Sequence, residues 1–359
     1  MRFESRIRSV AASALCALVA SSPAGVSWAQ APGNSIFPVD TPSGVRDRMF
    51  MRIDYIRANV KTTADPVRDV SGPVLAVGDV TNLLGTSTLI PIGRRNVYRT
   101  QIGPNLDEGI ALDVANGYTC QAPGLGSPCG TRARAQAMIG TPALSVGYYL
   151  DDDHSWAVEG FLLAKPIDVR IKGDGPNSVN GKDIIELKML PPVVKLGHYF
   201  GKRGDGIRPY AGVLGSYAVF YDVKSTQVLN KYVGGVSAND TSVSVKNTLG
   251  FGWMLGARAD VTDDWHFNFG VGKLRFKTEA TIVTHNTVIQ SGADVLRDYG
   301  PNTYRVILAA EGTVPTTQVM CDLALVKRGN TSCNLGEFVR KSSTVLDNTL
   351  FVISAGRSF

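Results

Sequence analysis

From about residue 141 onward, apolar and polar side chains alternate with period two, the signature of strands with two unlike faces. The clearest run is IRPYAGVLGSYAVFYDVK at 207–224. Its odd positions, from Ile207 to Val223, carry no charge. Its even positions are Arg208, Tyr210, Gly212, Leu214, Ser216, Ala218, Phe220, Asp222 and Lys224. The run 243–261 behaves alike: Leu249, Phe251, Trp253 and Leu255 share one face, and Gly250, Gly252, Met254, Gly256 and Arg258 the other. Successive residues of a strand point to opposite faces, so each run is one strand with an apolar side. Both are about three times the ~5–6 residues of a globular strand. A transmembrane strand needs ~9–11, so these read as barrel walls that rise beyond a bilayer.

Eight such strands are expected, at about 50–64, 141–151, 156–172, 184–200, 207–224, 242–261, 265–286 and 344–359. The stretches LDDDHSW (150–156), GKRGDG (201–206) and TDDW (262–265) are short turns. Roughly 65–140, 173–183, 225–241 and 287–343 are long loops. Outer-membrane barrels keep short turns in the periplasm and long loops outside. The expectation is therefore all-β: an eight-stranded antiparallel transmembrane β-barrel with long extracellular loops and periplasmic termini. Tyr148, Tyr149, Trp156, Tyr199, Phe200 and Trp265 beside the short turns read as an interfacial aromatic girdle. YRVILAA (304–310) in the fourth loop alternates too, which leaves open whether it extends the wall as a hairpin.

Three strands contain interruptions. In ELKMLPPVVKLGHYF (186–200) two prolines sit mid-strand, and Lys188 and Lys195 are seven apart. In an unbroken strand one lysine faces lipid, at ~2–4 kcal/mol near the midplane. A one-residue bulge at Pro191-Pro192, where proline is tolerated, would turn both inward. The same reading flips strand three at Pro166, turning Asp168 and Arg170 inward. Strand seven flips near Gly272, turning in Lys273, Arg275 and Lys277. These bases are expected to pair with acids such as Asp168, Glu186, Asp222, Asp260 and Glu279. Pro166, Pro191 and Pro192 lie at similar heights on adjacent strands. They mark either a seam that opens laterally between strands three and four or bulges that only shape the barrel.

An eight-stranded barrel is just wide enough for side chains to fill it, which excludes a wide aqueous pore. Phe161, Leu163, Leu214, Phe220 and Met254 lead the inward face, with glycines between them. They either fill the barrel or line an apolar path for a small solute. A salt-bridged plug would remove that path.

Composition adds compartment. Residues 1–31 read as a signal peptide: Arg2, Arg6 and Arg8, then the apolar SVAASALCALVA, then AQA before the expected cut after Ala31. Residues 32–49 are a periplasmic lead-in, and 50–359 the barrel. The formal charge of +6 becomes about +4 without that segment, mild enough to suit anionic lipid. No basic run is interleaved with aromatics, so nucleic acid is not an expected partner. Cys120, Cys129, Cys321 and Cys333 form two sequence-close pairs in the longest loops, read as disulfides. Their spacings are too wide for a zinc site.

The blocks FMRIDYIRANVK, LPPVVKLGHYFG (190–201), RPYAGVLGSYAVFYD (208–222), DDWHFNFGVGKLRFKTEATI (263–282) and the terminal LFVISAGRSF together resemble the outer-membrane protein W (OmpW/AlkL) family. Loops 65–140 and 287–343 are far longer than the family's usual ones, and Arg357 stands where it usually has an aromatic. The resemblance implies a narrow apolar lumen that passes small hydrophobic molecules, with no cofactor and no catalytic residue. Phe359 resembles the C-terminal aromatic read by barrel-assembly machinery. Expected partners are hydrophobic solutes, outer-membrane lipid and lipopolysaccharide. Two rival functions are weighed against transport. A lipid-modifying enzyme finds only His285 and Thr284 near the outer rim, with no Ser-Asp arrangement. A surface adhesin or receptor would use the disulfide-tied loops.

Overall fold

A computed structural model describes residues 48–122, 124–135, 138–262, 264–290, 294–329 and 332–359. The expected signal peptide and most of the 32–49 lead-in lie outside the described residues. Eight antiparallel strands close into a ring: β1 (Met49–Ala64), β2 (Met138–Tyr149), β3 (Trp156–Leu163, then Ile167–Asp174), β4 (Asp183–Leu190, then Val193–Tyr199), β5 (Ile207–Ser225), β6 (Thr241–Val245, then Thr248–Asp260), β7 (Trp265–Thr284) and β8 (Phe338–Ser358). β8 returns to pair with β1, from Phe50↔Ser358 to Ala64↔Thr344, so no edge is left for lipid to face. Among the described residues no helix is long and apolar enough to cross a membrane.

The outer wall carries the apolar belt that alternation promised: Ile53, Val213, Leu255, Phe267, Phe269 and Ile353 are all exposed. Of the six expected girdle aromatics, Tyr148, Trp156, Phe200 and Trp265 face outward. Tyr149 and Tyr199 are buried in the lumen instead. They are the chain neighbours of Tyr148 and Phe200, so alternation sends them the other way.

None of the three expected phase flips occurs. On β4 the odd positions point inward throughout, so Leu187 and Met189 are buried with Lys195, while Lys188 faces out. On β3, Val169 stays inside, and Asp168 and Arg170 are exposed. On β7 the even positions stay inside, leaving Lys273, Arg275 and Lys277 outside. The reason is height. Lys188 is 13 residues above the turn at Gly201, ~30 Å up at ~3.3 Å per residue and ~45° tilt. That is above the ~25 Å apolar band, where an outward lysine meets water and headgroups. There its Nζ pairs with Asp222 at 3.0 Å.

The long loops carry helices, and the first also lends short strands to the wall, Arg68–Asp69 against β8 and Arg132–Ala135 against upper β3. The first holds α1 (Gly103–Ala115) and the third α2 (Gln227–Tyr232). The fourth holds α3 (Asp294–Tyr299), α4 (Pro301–Ala310) and α5 (Thr316–Arg328). The stretch 304–310 is therefore part of α4, not a hairpin. Pro301 starts that helix well, because its missing N–H has no intrahelical partner there anyway. Asp113 of α1 caps it across the two loops, accepting from the backbone N–H of Asn302 (3.1 Å) and Thr303 (2.7 Å). Buried Asp322 of α5 accepts from Arg94 Nε (2.9 Å) and from the Tyr98 hydroxyl (2.7 Å) of the first loop. That burial and the Asp322 bond hold the Tyr98 phenol well above its usual range. Disulfides Cys120–Cys129 and Cys321–Cys333 close one loop segment each.

Candidate functional site

The lumen has two unlike parts. The lower part is a plug of paired charges and stacked rings. Register places Glu159 of β3 directly beside Lys195 of β4, and Gly147 of β2 beside Glu159. With no side chain at Gly147, the ring of Phe50 lies across it, and a Cβ there would fall inside that ring; the Arg52 guanidinium stacks 4.2 Å from the ring centre. Glu159 Oε1 then accepts from Arg52 Nη1 at 2.6 Å, and Oε2 lies 2.5 Å from Lys195 Nζ. All three side chains are 0% exposed. Arg52 also donates to His266 Nε2 (2.9 Å) and the Tyr199 hydroxyl (3.3 Å). Lys195 Nζ sits 4.3 Å above the Tyr210 ring, a cation–π contact. Below them Arg208 donates to the His154 carbonyl at 3.0 Å, and Arg258 pairs with Asp260 at 2.7 Å. The glycines expected to leave room for solute serve this packing in part: a Cβ at Gly256 would strike the Tyr210 ring, and one at Gly250 the Phe276 ring.

Above the plug lies an apolar chamber of about 70 Å³. Four of the five expected path residues line it: Phe161, Leu163, Leu214 and Met254. Ile56, Met189, Val193, Leu274, Phe276 and Leu350 join them, as does Pro191. Phe220 packs against the apolar core without lining the chamber. The only polar lining residues are Thr141 and Asn348, and each is spent locally: Thr141 donates to the Pro142 carbonyl (3.2 Å), and Asn348 to the Leu274 carbonyl (3.1 Å). The chamber offers a solute apolar surface and no charge.

The wall beside it is interrupted on both sides of Pro166. Between β3 and β4 the ladder runs to Phe161↔Val193 and resumes at Ile167↔Met189 with its register shifted, leaving Ala164–Pro166 and Pro191-Pro192 outside the strands. A second break separates β2 from β3. Their ladder ends at Ala143↔Leu163, and upper β3 next pairs with Arg132–Ala135, starting from Ala135↔Ile171. Met138–Thr141 and Lys165–Arg170 make no bond across this gap among the described residues, although the register on the two sides agrees. Prolines explain the gap. Ala164 N–H donates to the Pro142 carbonyl at 3.0 Å, but Pro142 has no N–H to return. Continuing that register puts Pro166 opposite Gly140, again without a donor. Pro192 keeps a role in the β4–β5 seam, its carbonyl accepting from the Tyr217 N–H (3.3 Å) and the Ser216 hydroxyl (2.8 Å).

The alternation placed Glu159, Lys195, Arg208 and Arg258 inside, but not their meeting with Arg52, which depends on register across four strands. Pro142 was not singled out, although its place within an expected strand, like that of Pro166, Pro191 and Pro192, was its signal. His285 lies near the outer rim with its Nδ1 2.9 Å from Glu337. Among the described residues no cluster of metal-ligating side chains forms.

A family model described as the OmpW family matches residues 122–296. That span runs from the end of the first loop through β7 and contains every strand that frames the chamber except β1 and β8. Over that span the chain is similar to the OmpW family. Outer membrane protein W of Vibrio cholerae serotype O1 is 26% identical over 200 residues, covering 55% of this chain and 86% of that protein. Outer membrane protein W of Salmonella typhimurium is 28% identical over 98 residues, which is 27% of this chain and 43% of that one. Among solved structures, the crystal structure of the outer membrane protein OprG from Pseudomonas aeruginosa superposes with a TM-score of 0.49 at 13% identity, covering 87% of this chain and 96% of that chain. The solid-state NMR structure of outer membrane protein AlkL in DMPC bilayers superposes with a TM-score of 0.39 at 14% identity, covering 91% and 97%. The OmpW-family match, the outer-membrane proteins it resembles and the closed ring of eight strands make this an outer-membrane protein.

Proposed function

We propose that this barrel is a passive conduit for small hydrophobic molecules, which enter the apolar chamber from outside and leave sideways into the bilayer beside Pro166. The carrying observation is the chamber's position: it lies above a buried ion-paired plug and beside the unpaired stretch of wall. The plug removes a straight apolar path to the periplasm, so the route turns at Phe161 and Leu163. A seam between strands three and four was expected. The gap between β2 and β3 lacks the donors of both Pro142 and Pro166, so the exit is placed on that side. The chamber of about 70 Å³ is smaller than the ~150 Å³ cavity that accepts benzene, so the wall must part as a solute passes.

Two cross-links separate the sides. A short bis-thiol linker between Met138→Cys and Asp168→Cys locks β2 to β3. A disulfide between Asp168→Cys and Lys188→Cys, which are register neighbours, locks β3 to β4. Uptake of a hydrophobic fluorophore is expected to fall with the first lock and survive the second. Uptake unaffected by either lock would remove the lateral exit. Unlocked barrel that takes up no more fluorophore than empty membranes would remove the conduit itself.

A receptor role for the external helices is the second reading. It is favoured by the loops having a core of their own, with Val80, Leu84, Leu106, Ile110 and Leu323 all buried. Deleting residues 68–138 would test it: lost surface adhesion with retained uptake would support a receptor, and retained adhesion would refute one.

A further inference from the structure

The outward charges near the top of the belt are not spread evenly around the barrel. On β3–β5 the cations are matched: Arg170 and Lys172 lie 3.7 and 3.9 Å from Asp183, and Lys188 and Lys224 lie 3.0 and 2.9 Å from Asp222. On β7, β8 and β1, Lys341 is matched by Glu279 at 3.2 Å, but the cations below that pair are not matched one for one. Register sets three outward rows side by side: Lys273–Thr349–Asn59, Arg275–Asp347–Lys61 and Lys277–Val345–Thr63. These rows hold four cations and one carboxylate. Arg275 alone is paired, at 3.5 Å from Asp347; Lys61, Lys273 and Lys277 make no ion pair among the described residues.

The next strand fixes the environment. On β6, Trp253 lies beside Lys273 and Phe251 beside Arg275, with Phe251 70% exposed. Cations level with bare aromatic side chains stand where the apolar belt ends, in the headgroup layer. Lys273 and Lys277 lie 8 and 12 residues above Trp265. That is ~20 and ~30 Å up, at ~3.4 Å per residue and ~45° tilt. The spacing is ~7 Å along a strand and ~5 Å between strands, so the four heads form a plaque about 13 by 10 Å.

We infer that Lys61, Lys273, Arg275 and Lys277 form a docking site for the phosphorylated headgroup of an outer-leaflet glycolipid, lipopolysaccharide, on the β7–β8–β1 face. Unpaired cations bind phosphate oxygens by charge-assisted hydrogen bonds, and the flanking Phe251 and Trp253 meet the acyl chains. The site is on the outer wall and does not depend on the conduit.

The test titrates lipopolysaccharide onto the full protein in a zwitterionic detergent, with bound lipid read by native mass spectrometry. Lys61→Gln/Lys273→Gln/Arg275→Gln/Lys277→Gln is expected to weaken binding by at least ~10-fold. The matched set Arg170→Gln/Lys172→Gln/Lys188→Gln/Lys224→Gln is expected to leave it near wild type. Dephosphorylated lipopolysaccharide is expected to bind the wild type as weakly as the intact lipid binds the first variant, and inorganic phosphate to displace nothing. Heat-modified gel mobility checks folding; if the fourfold variant does not fold, Lys273→Gln/Lys277→Gln replaces it. Unchanged binding by the first set, an equal loss in the second, or displacement by inorganic phosphate alone would overturn the assignment.

Discussion

Removing the Glu159 carboxylate leaves two buried cations facing each other. Glu159→Ala takes away the shared partner of Arg52 and Lys195, at 2.6 and 2.5 Å, in a site with no exposure. Breaking a buried pair from one side costs about 3–5 kcal/mol, because the remaining charge has lost its counterion and is still out of water. Here two charges are stranded and repel, so the loss belongs at the upper end of that range. Glu159→Gln keeps the shape and one acceptor oxygen but not the charge, and is expected to lose about half as much. Adding Lys195→Met to Glu159→Ala removes one stranded cation, so the double variant is expected to be more stable than Glu159→Ala alone. The assay is reversible urea unfolding in lipid vesicles, followed by tryptophan fluorescence and gel mobility. Single-channel conductance is read alongside, since a loosened plug opens a polar leak. Glu159→Ala within about 1 kcal/mol of wild type, with no added conductance, would refute the claim that this triad seals the periplasmic end.

Lys188→Ala is expected to cost under about 1 kcal/mol, as for an exposed pair, and Lys195→Ala about 3–5 by the same unfolding assay; equal costs would mean that both face one side of β4. Gly147→Val puts a branched side chain where Phe50 lies, so refolding yield is expected to collapse, with partial recovery in Gly147→Val/Phe50→Ala. Cys321→Ser/Cys333→Ser is expected to loosen the fourth loop by about 2–3 kcal/mol, seen as faster proteolysis within 301–333, while the barrel's gel mobility stays unchanged.

Much of the wall was legible because alternation is a local signal. The faces of β5 and β6 and the inward Phe161, Leu163, Leu214 and Met254 follow from parity once one residue is placed. The same rule was misapplied to Lys188, Asp168 and Lys273, where outward charge was treated as charge in lipid. Strands of 19–21 residues, as in β5, β7 and β8, extend past the bilayer, and above that boundary parity is compatible with charge on either side. The helix at 301–310 was hidden because a short apolar run fits both periods; Gly300-Pro301 at its start was the better clue. The Arg52–Glu159–Lys195 contact and the β2–β3 gap depend on register between strands that loops of unknown path connect. Residue spacing in one strand does not contain that information.

The central claim is that a solute passes through the chamber above the plug. Met254→Trp tests it most directly, because Met254 is 2% exposed, lines the chamber and sits on β6, three strands from β3. An indole there exceeds the free volume and fills the path without touching a charge. With the variant folded and inserted in liposomes, uptake of a small hydrophobic fluorophore is expected to fall to the level of empty liposomes. Uptake at the wild-type rate would contradict the account.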